Sequence, residues 1–194
     1  MNENAPDPPE TVRVFVAVAP PDHAKAELED ALRPVYAAHP RLRRNRVEDW
    51  HITLAFLGEV AVDAIPALRT ALADVAARGR PIPLALHGAG HFDDRVLWSG
   101  LRGDLEGLHA LAGAVRDAVT GWGPGFADRP LRPHLTLARA RRDNPDGVPA
   151  AAEELAGFAG GPWQAERLHL VGSNFGRGPG PIHYRDIASW PLGG

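Results

Sequence analysis

Residues 50–57 read Trp50-His51-Ile52-Thr53-Leu54-Ala55-Phe56-Leu57, and residues 131–140 read Leu131-Arg132-Pro133-His134-Leu135-Thr136-Leu137-Ala138-Arg139-Ala140. The phrase His51-Ile52-Thr53-Leu54 therefore recurs as His134-Leu135-Thr136-Leu137 in the second half of the chain. Both copies sit in apolar surroundings that predict strands over 50–57 and 131–140. A strand sends successive side chains to opposite faces. His51 and Thr53 then share one face, while Ile52, Leu54 and Phe56 share the other. The same holds for His134 and Thr136 against Leu135 and Leu137. Each copy offers an imidazole beside a hydroxyl on a strand whose back can face a core. If an approximate two-fold axis relates the copies, two histidines and two threonines meet across one cleft.

Working outward, Val12–Ala19 is a β-branched run that predicts a buried strand. Pro20, Pro21 and Asp22 stop it, and Asp22 is placed to cap a helix reaching His39. Leu28, Leu32 and Val35 lie on one face of that helix. Asp63 is expected to cap a second helix to Ala77, with Pro66 in its first turn. Ile82–His87 and Val96–Leu101 predict a strand pair. Asp104 opens a third helix carrying Leu105, Leu108, Leu111, Val115 and Val119 at helical spacing. A short helix over Ala151–Phe158 and strands over Arg167–Val171 and His183–Trp190 complete the chain. Loops are expected at 121–130, 141–149 and 172–180. The order is βαβαββαβαββ, an α+β or α/β arrangement with no linker dividing it. Residues 1–10 are polar and proline-rich and are expected to be a disordered leader, with one domain over 11–194.

Composition narrows the chemistry. The chain has 194 residues, 44% apolar and 23% charged, ordinary for a folded globular protein and unlike a disordered or fibrous one. It has no cysteine, which excludes disulfides, thiolate metal sites and a cysteine nucleophile. Lys+Arg of 21 against Asp+Glu of 24 leaves a net charge of −3, so the sum does not advertise nucleic acid. The distribution does. Arg129, Arg132, Arg139, Arg141 and Arg142 fall in one acid-free stretch, and Arg41, Arg43, Arg44 and Arg46 form a second cluster. The N-terminus has no basic start or apolar run, and no segment reaches the ~18 apolar residues of a membrane span. The expectation is a cytoplasmic protein with no membrane contact. High Ala, Gly, Pro and Arg content fits a GC-rich bacterial genome.

Two imidazoles titrating near neutrality divide labour: one donates a proton to a leaving oxygen, the other takes one from water. Hydroxyls beside them hold an anion, and a phosphodiester fits such a site. Two histidines supply only two metal ligands and no carboxylate shares their strand faces, so no metal or other cofactor is expected.

These motifs resemble the two-histidine (2H) phosphoesterases, and within them the LigT-like RNA 2′,3′-cyclic phosphodiesterases, once named for 2′-5′ RNA ligase activity. The resemblance runs from Arg13-Val14-Phe15-Val16-Ala17 through the phrases around both histidines and Val96-Leu97-Trp98 to Tyr184 and Trp190-Pro191-Leu192. Trp50 departs from a leucine- or asparagine-rich lead-in, and His183 stands before Tyr184 where arginine is expected.

The resemblance implies a bilobal α+β fold, with two pseudo-two-fold-related antiparallel sheets, helices outside and a central cleft. It implies hydrolysis of a 2′,3′-cyclic phosphate at an RNA end to a 2′-phosphomonoester without metal. His51 is then the proton donor and His134 the proton acceptor, with the roles open to exchange and reversed in 2′-5′ ligation. Thr53 and Thr136 hold phosphate oxygens. Phe15 and Arg139 are candidates to sandwich a terminal base, although strict alternation turns Arg139 away from His134 unless the strand bends. Arg132 and Tyr184 are further candidate substrate contacts. The expected partner is an RNA 3′ end with a cyclic phosphate, met by a monomer needing no protein partner.

Alternatives from the same residues are a 2H esterase for a small cyclic nucleotide or an ADP-ribose cyclic phosphate, and a non-catalytic RNA-binding protein. Of the other histidines, His87 and His91 are expected at loops or strand ends, and His23, His39, His109 and His169 on the surface or satisfied. Gly176-Arg177-Gly178 resembles a phosphate-cradling loop only loosely. Trp98, Trp122, Trp163 and Trp190 are expected to pack.

Overall fold

The structure, a computed structural model, describes residues 10–122, 131–142, 147–174 and 183–194. Residues 1–9 of the leader expected over 1–10, Arg129 and the Gly176–Gly178 phrase lie outside the described residues. Glu10 does not belong to a free leader, because its carbonyl accepts the Val62 N–H at 2.9 Å.

The elements are β1 (Thr11–Val18), α1 (Asp22–Ala38), β2 (Arg43–Arg44), β3 (Ile52–Ala61), α2 (Ile65–Arg78), β4 (Ile82–Phe92), β5 (Val96–Gly103), α3 (Leu105–Ala118), β6 (Leu135–Arg139), α4 (Val148–Leu155), β7 (Trp163–Ala165), β8 (Arg167–Asn174) and β9 (His183–Pro191). The sheet order is β7-β4-β5-β6-β3-β1-β8-β9, with β2 paired to β6. The halves β7-β4-β5-β6, with β2 on β6, and β3-β1-β8-β9 meet at the pair Ile52↔Leu135, so the two expected sheets run into one another through that seam. Leu28, Leu32 and Val35 of α1, Leu68 and Leu72 of α2 and Leu108 and Val115 of α3 are buried in one core with the inward side chains of both halves. Among the described residues, no helix is long and apolar enough to cross a membrane.

Two helix starts differ from expectation. The N-cap of α1 is Pro21, whose carbonyl accepts the Lys25 N–H at 3.0 Å; Asp22 lies inside the first turn, where its charge still favours the helix dipole. Asp63 belongs to a single tight turn over Val62–Ala64, and α2 begins after Ala64 with Pro66 in its first turn. Asp104 caps α3 as expected, accepting the Gly107 N–H at 2.8 Å.

Strand ends also shift. β6 starts at Leu135, because Pro133 has no N–H to give a ladder. β3 starts at Ile52, after a single turn over Val47–Asp49. Both histidines therefore stand one residue ahead of their strands. His87 and His91 lie within β4: Gly88, at φ 63°, forms a bulge and the ladder resumes to Phe92.

The most consequential irregularity occurs twice. Ala17 pairs with Thr53 and Val16 with Ala55, which leaves Leu54 as an extra residue in β3. Trp98 pairs with Thr136 and Leu97 with Ala138, which leaves Leu137 as an extra residue in β6. Each bulge buries two successive residues, Leu54–Ala55 and Leu137–Ala138, and reverses the alternation after them. Phe56 and Arg139 are both exposed at the next position. The bend that Arg139 needs to join the face of His134 and Thr136 is thus built into the strand. The Leu137 carbonyl, on the β2 side of the strand, is satisfied by the Asn45 N–H (2.8 Å) and the Tyr36 hydroxyl (3.1 Å). Burial pushes the Tyr36 phenol up to about 12 despite the opposing Arg44 guanidinium, so it remains a donor.

Candidate active site

Ile52 and Leu135 point into the core at the seam, so the residues flanking them point to the other face. Continuing that antiparallel register sets His51 beside Thr136 and His134 beside Thr53. The two imidazoles lie on one diagonal of a four-residue patch and the two hydroxyls on the other.

Both rings are oriented by the same device. His51 Nδ1–H donates to the Asp49 carbonyl at 2.9 Å, and His134 Nδ1–H donates to the Arg132 carbonyl at 2.7 Å. A carbonyl only accepts, so Nδ1 carries the hydrogen in each ring. Nε2 is left to take or deliver a proton. The Asp49 carboxylate is held in turn by Arg46, Nε at 2.8 Å and Nη2 at 3.1 Å, which fixes the turn that presents its carbonyl. Arg132 serves His134 through its backbone, and its side chain is exposed.

The surroundings of the two rings differ. Phe15 presents an edge contact to His51, ring centres 5.7 Å apart, and another to Tyr184 at 5.6 Å. Phe15, Ala17 and Val171 form a small apolar cluster separate from the main core, with Tyr184 against it. His169 lies 6.4 Å from His51, its Nδ1 on the Asp186 carboxylate at 2.9 Å. Burial pushes the His51 imidazole below its ordinary range. The charges of Lys25 and His169 act in the same direction, while the Asp49 carbonyl and Asp186 oppose them. Lys25 of α1 is itself lowered by burial.

On the other side, Phe92 from the end of β4 stands edge-on to His134, ring centres 5.0 Å apart, and lies against Trp98 at 5.4 Å. Phe92 and Arg139 line one cavity, with Arg43 directly opposite Arg139 across β2 and β6.

The structure thus gathers His51, Phe15 and Tyr184 in one half, and His134 and Arg139 in the other. The side chain of His183 lies outside what is described. His169, expected on the surface or satisfied, is satisfied by Asp186 and also lies beside His51; Lys25 and Asp186 are further neighbours of His51 that no local pattern ties to the motif. The Arg41–Arg46 cluster divides: Arg46 holds Asp49, Arg44 lies 4.5 Å over the Tyr36 ring, and Arg43 faces the cavity. Among the described residues, no group of three or more potential ligands is placed to hold a metal ion.

Comparison with known proteins bears directly on this geometry. A family model described as the 2′-5′ RNA ligase superfamily matches residues 15–176. The RNA 2′,3′-cyclic phosphodiesterase of Escherichia coli K12 is 31% identical over 187 residues, covering 94% of this chain and 98% of that protein. The protein of the same name from Geobacillus stearothermophilus is 32% identical over 182 residues, covering 92% of this chain; the chain spans 56% of that relative's length. Among solved structures, TT0787 of Thermus thermophilus superposes with a TM-score of 0.76 at 27% identity, covering 94% of this chain and 98% of that one. E. coli LigT complexed with NADP+ superposes with a TM-score of 0.72 at 26% identity, covering 95% of this chain and 100% of that one.

Proposed function

The chain belongs to the 2′-5′ RNA ligase superfamily, and from that premise we propose that it hydrolyses RNA 2′,3′-cyclic phosphate ends to 2′-phosphomonoesters by paired-histidine acid–base catalysis. The observation that carries this reading is the duplicated ring orientation. In both halves Nδ1 is committed to a backbone carbonyl and Nε2 is left for proton transfer.

His134 Nε2 takes a proton from a water as its oxygen attacks phosphorus. The bond from phosphorus to O3′ breaks, and His51 Nε2 delivers a proton to that oxygen. The net change is addition of one water, and the phosphate remains on O2′. Thr53 and Thr136 donate to the two non-bridging oxygens, where negative charge builds in the transition state. Each proton transfer contributes roughly 10²–10⁴-fold. The depressed proton affinity of His51 makes it a strong acid once charged, and an anionic phosphate beside it restores the proton. With a 5′-hydroxyl in place of water, the same steps in the same direction join it to the cyclic phosphate as a 2′-5′ linkage, so His134 and His51 keep their roles rather than exchange them; run in reverse, they cleave that linkage.

Phe15 and Tyr184 offer the terminal base an aromatic wall, with Arg139 and Arg132 as cationic groups on the His134 side. The substrate is an RNA 3′ end and the enzyme a cytoplasmic monomer, with both histidines supplied by one chain.

The test is product analysis on a short RNA ending in a 2′,3′-cyclic phosphate, with EDTA present, for the wild type, His51→Ala and His134→Ala. A 2′-phosphate from the wild type alone is expected. Normal turnover by both variants would overturn the mechanism. No turnover by folded wild type would overturn the substrate and direct attention to small cyclic nucleotides.

A further inference from the structure

The cavity beside His134 has a volume of about 660 Å³, within the range of ligand-binding clefts. Five arginines line it, Arg43, Arg95, Arg139, Arg141 and Arg142, against a single acidic residue, Asp93. All five side chains are exposed, and among the described residues none is ion-paired.

The placement of these charges runs against the stability of the sheet. Arg43 and Arg139 are direct cross-strand partners, and like charges at such a position repel. The Leu137 bulge is what brings Arg139 to this face; an unbroken strand would turn it away. The lip of the cavity is strained as well. Asp93 and Asp94 at the β4–β5 turn hold φ of 50° and 54°, a region that side chains other than glycine seldom adopt. Arg95 is anchored on both sides of that turn, its N–H on the Phe92 carbonyl (2.9 Å) and its own carbonyl on the Ala140 N–H (2.8 Å). A site that accumulates positive charge on a braced backbone lowers its energy when an anion enters. On the opposite side of the histidine pair the described residues include the apolar cluster of Phe15, Ala17 and Val171 with Tyr184 against it, and Lys25 near His51 is partly buried, so the exposed arginines of the His134 side are the better complement for the polyanionic part of a substrate.

We propose that this cavity binds the RNA phosphodiesters immediately upstream of the terminal cyclic phosphate, so that the enzyme selects oligonucleotide ends over 2′,3′-cyclic mononucleotides. The proposal rests on the phosphodiesterase reading above and gives the substrate a direction, its terminal base toward Phe15 and its upstream strand across Arg95, Arg141 and Arg142. Phosphate contacts of this kind carry no sequence code, and each one steepens the salt dependence by about 0.7 in a log–log plot for a single strand.

Three substrates test it: a 2′,3′-cyclic mononucleotide, the same compound with a 5′-phosphate, and a hexanucleotide with a terminal cyclic phosphate. For the wild type, kcat/KM should rise in that order, at least tenfold in total, with the hexanucleotide most sensitive to salt. The triple variant Arg95→Gln/Arg141→Gln/Arg142→Gln should lose tenfold or more on the hexanucleotide and under threefold on the mononucleotide, with a flatter salt slope. Equal wild-type kcat/KM for all three substrates would overturn the proposal. So would an equal loss on all three in the variant. If the wild type turns over none of them, the phosphodiesterase reading fails, and fluorescence anisotropy with a labelled hexanucleotide decides the cavity separately. Tenfold weaker binding by the triple variant supports it; unchanged binding overturns it.

Discussion

The two halves of the site share a backbone and differ in almost everything laid on it. His51 and His134 each precede a bulged strand, each hand Nδ1–H to a carbonyl two residues back, and each stand by a threonine of the other copy. Around His51 are Phe15, Tyr184 and the His169–Asp186 pair; around His134 are Phe92 and arginines. The chemical step needs two similar groups held alike, whereas an asymmetric substrate needs unlike walls. A duplicated scaffold provides the first, and substitution at positions outside the motif provides the second. The position after the bulge shows the divergence at one residue: Phe56 in one copy, under the Arg13 guanidinium at 4.8 Å, and Arg139 in the other.

The comparison can be broken first at its centre. Either alanine variant should lower turnover of the cyclic phosphate by roughly 10²–10⁴-fold. An aryl phosphodiester with a nitrophenolate leaving group needs no proton on departure. On that substrate His51→Ala should recover most of its loss, while His134→Ala should not. The opposite pattern in steady-state kinetics would exchange the donor and acceptor roles.

A second test disturbs one half alone. A Cβ at Gly90 would lie 2.3 Å from the Trp98 ring, which supports Phe92 and through it His134. Gly90→Ala should cost about 1–3 kcal/mol by overpacking, read as a lower Tm. It should also reduce kcat more than a surface variant of equal stability loss does. Unchanged Tm and kcat would show that this support is slack.

The smallest effect is electrostatic. The Lys25 charge lowers the proton affinity of His51, so Lys25→Met should raise it and Lys25→Arg should preserve it. If His51 is the group that must be protonated, the alkaline limb of kcat/KM moves to higher pH in Lys25→Met. NMR titration of the His51 ring gives the same shift independently. A limb that stays in place in Lys25→Met would remove Lys25 from the account.

Much of this was legible in the residues and part of it was not. The echo of His-x-Thr-Leu located both histidines and both threonines, because a four-residue repeat in apolar frames survives any error in strand boundaries. Arg139 was assigned a face by parity, and parity fails where an extra residue enters a strand; Leu137 carries no local mark of being that residue. β2 and β7 are two and three residues long and have no period to detect. Asp22 and Asp63 read as caps because their type suits the position, but helix starts were set by the backbone of Pro21 and by the turn at Val62–Ala64. Lys25, His169 and Asp186 reach His51 from α1, β8 and β9, a convergence that only tertiary structure creates.

The seam at Ile52↔Leu135 also governs how the candidate site tolerates change. Positional error accumulates along a chain with distance from the last fixed point. Each of the two histidines is one peptide unit from the seam, the shortest lever arm available. Insertions in loops, drift of the outer strands β7 and β9, and thermal swaying of one half against the other all act at the far ends of the sheet. They reach the imidazoles only after passing through this fully buried pair of residues. A change confined to the margins therefore leaves the spacing of the two imidazoles as it is.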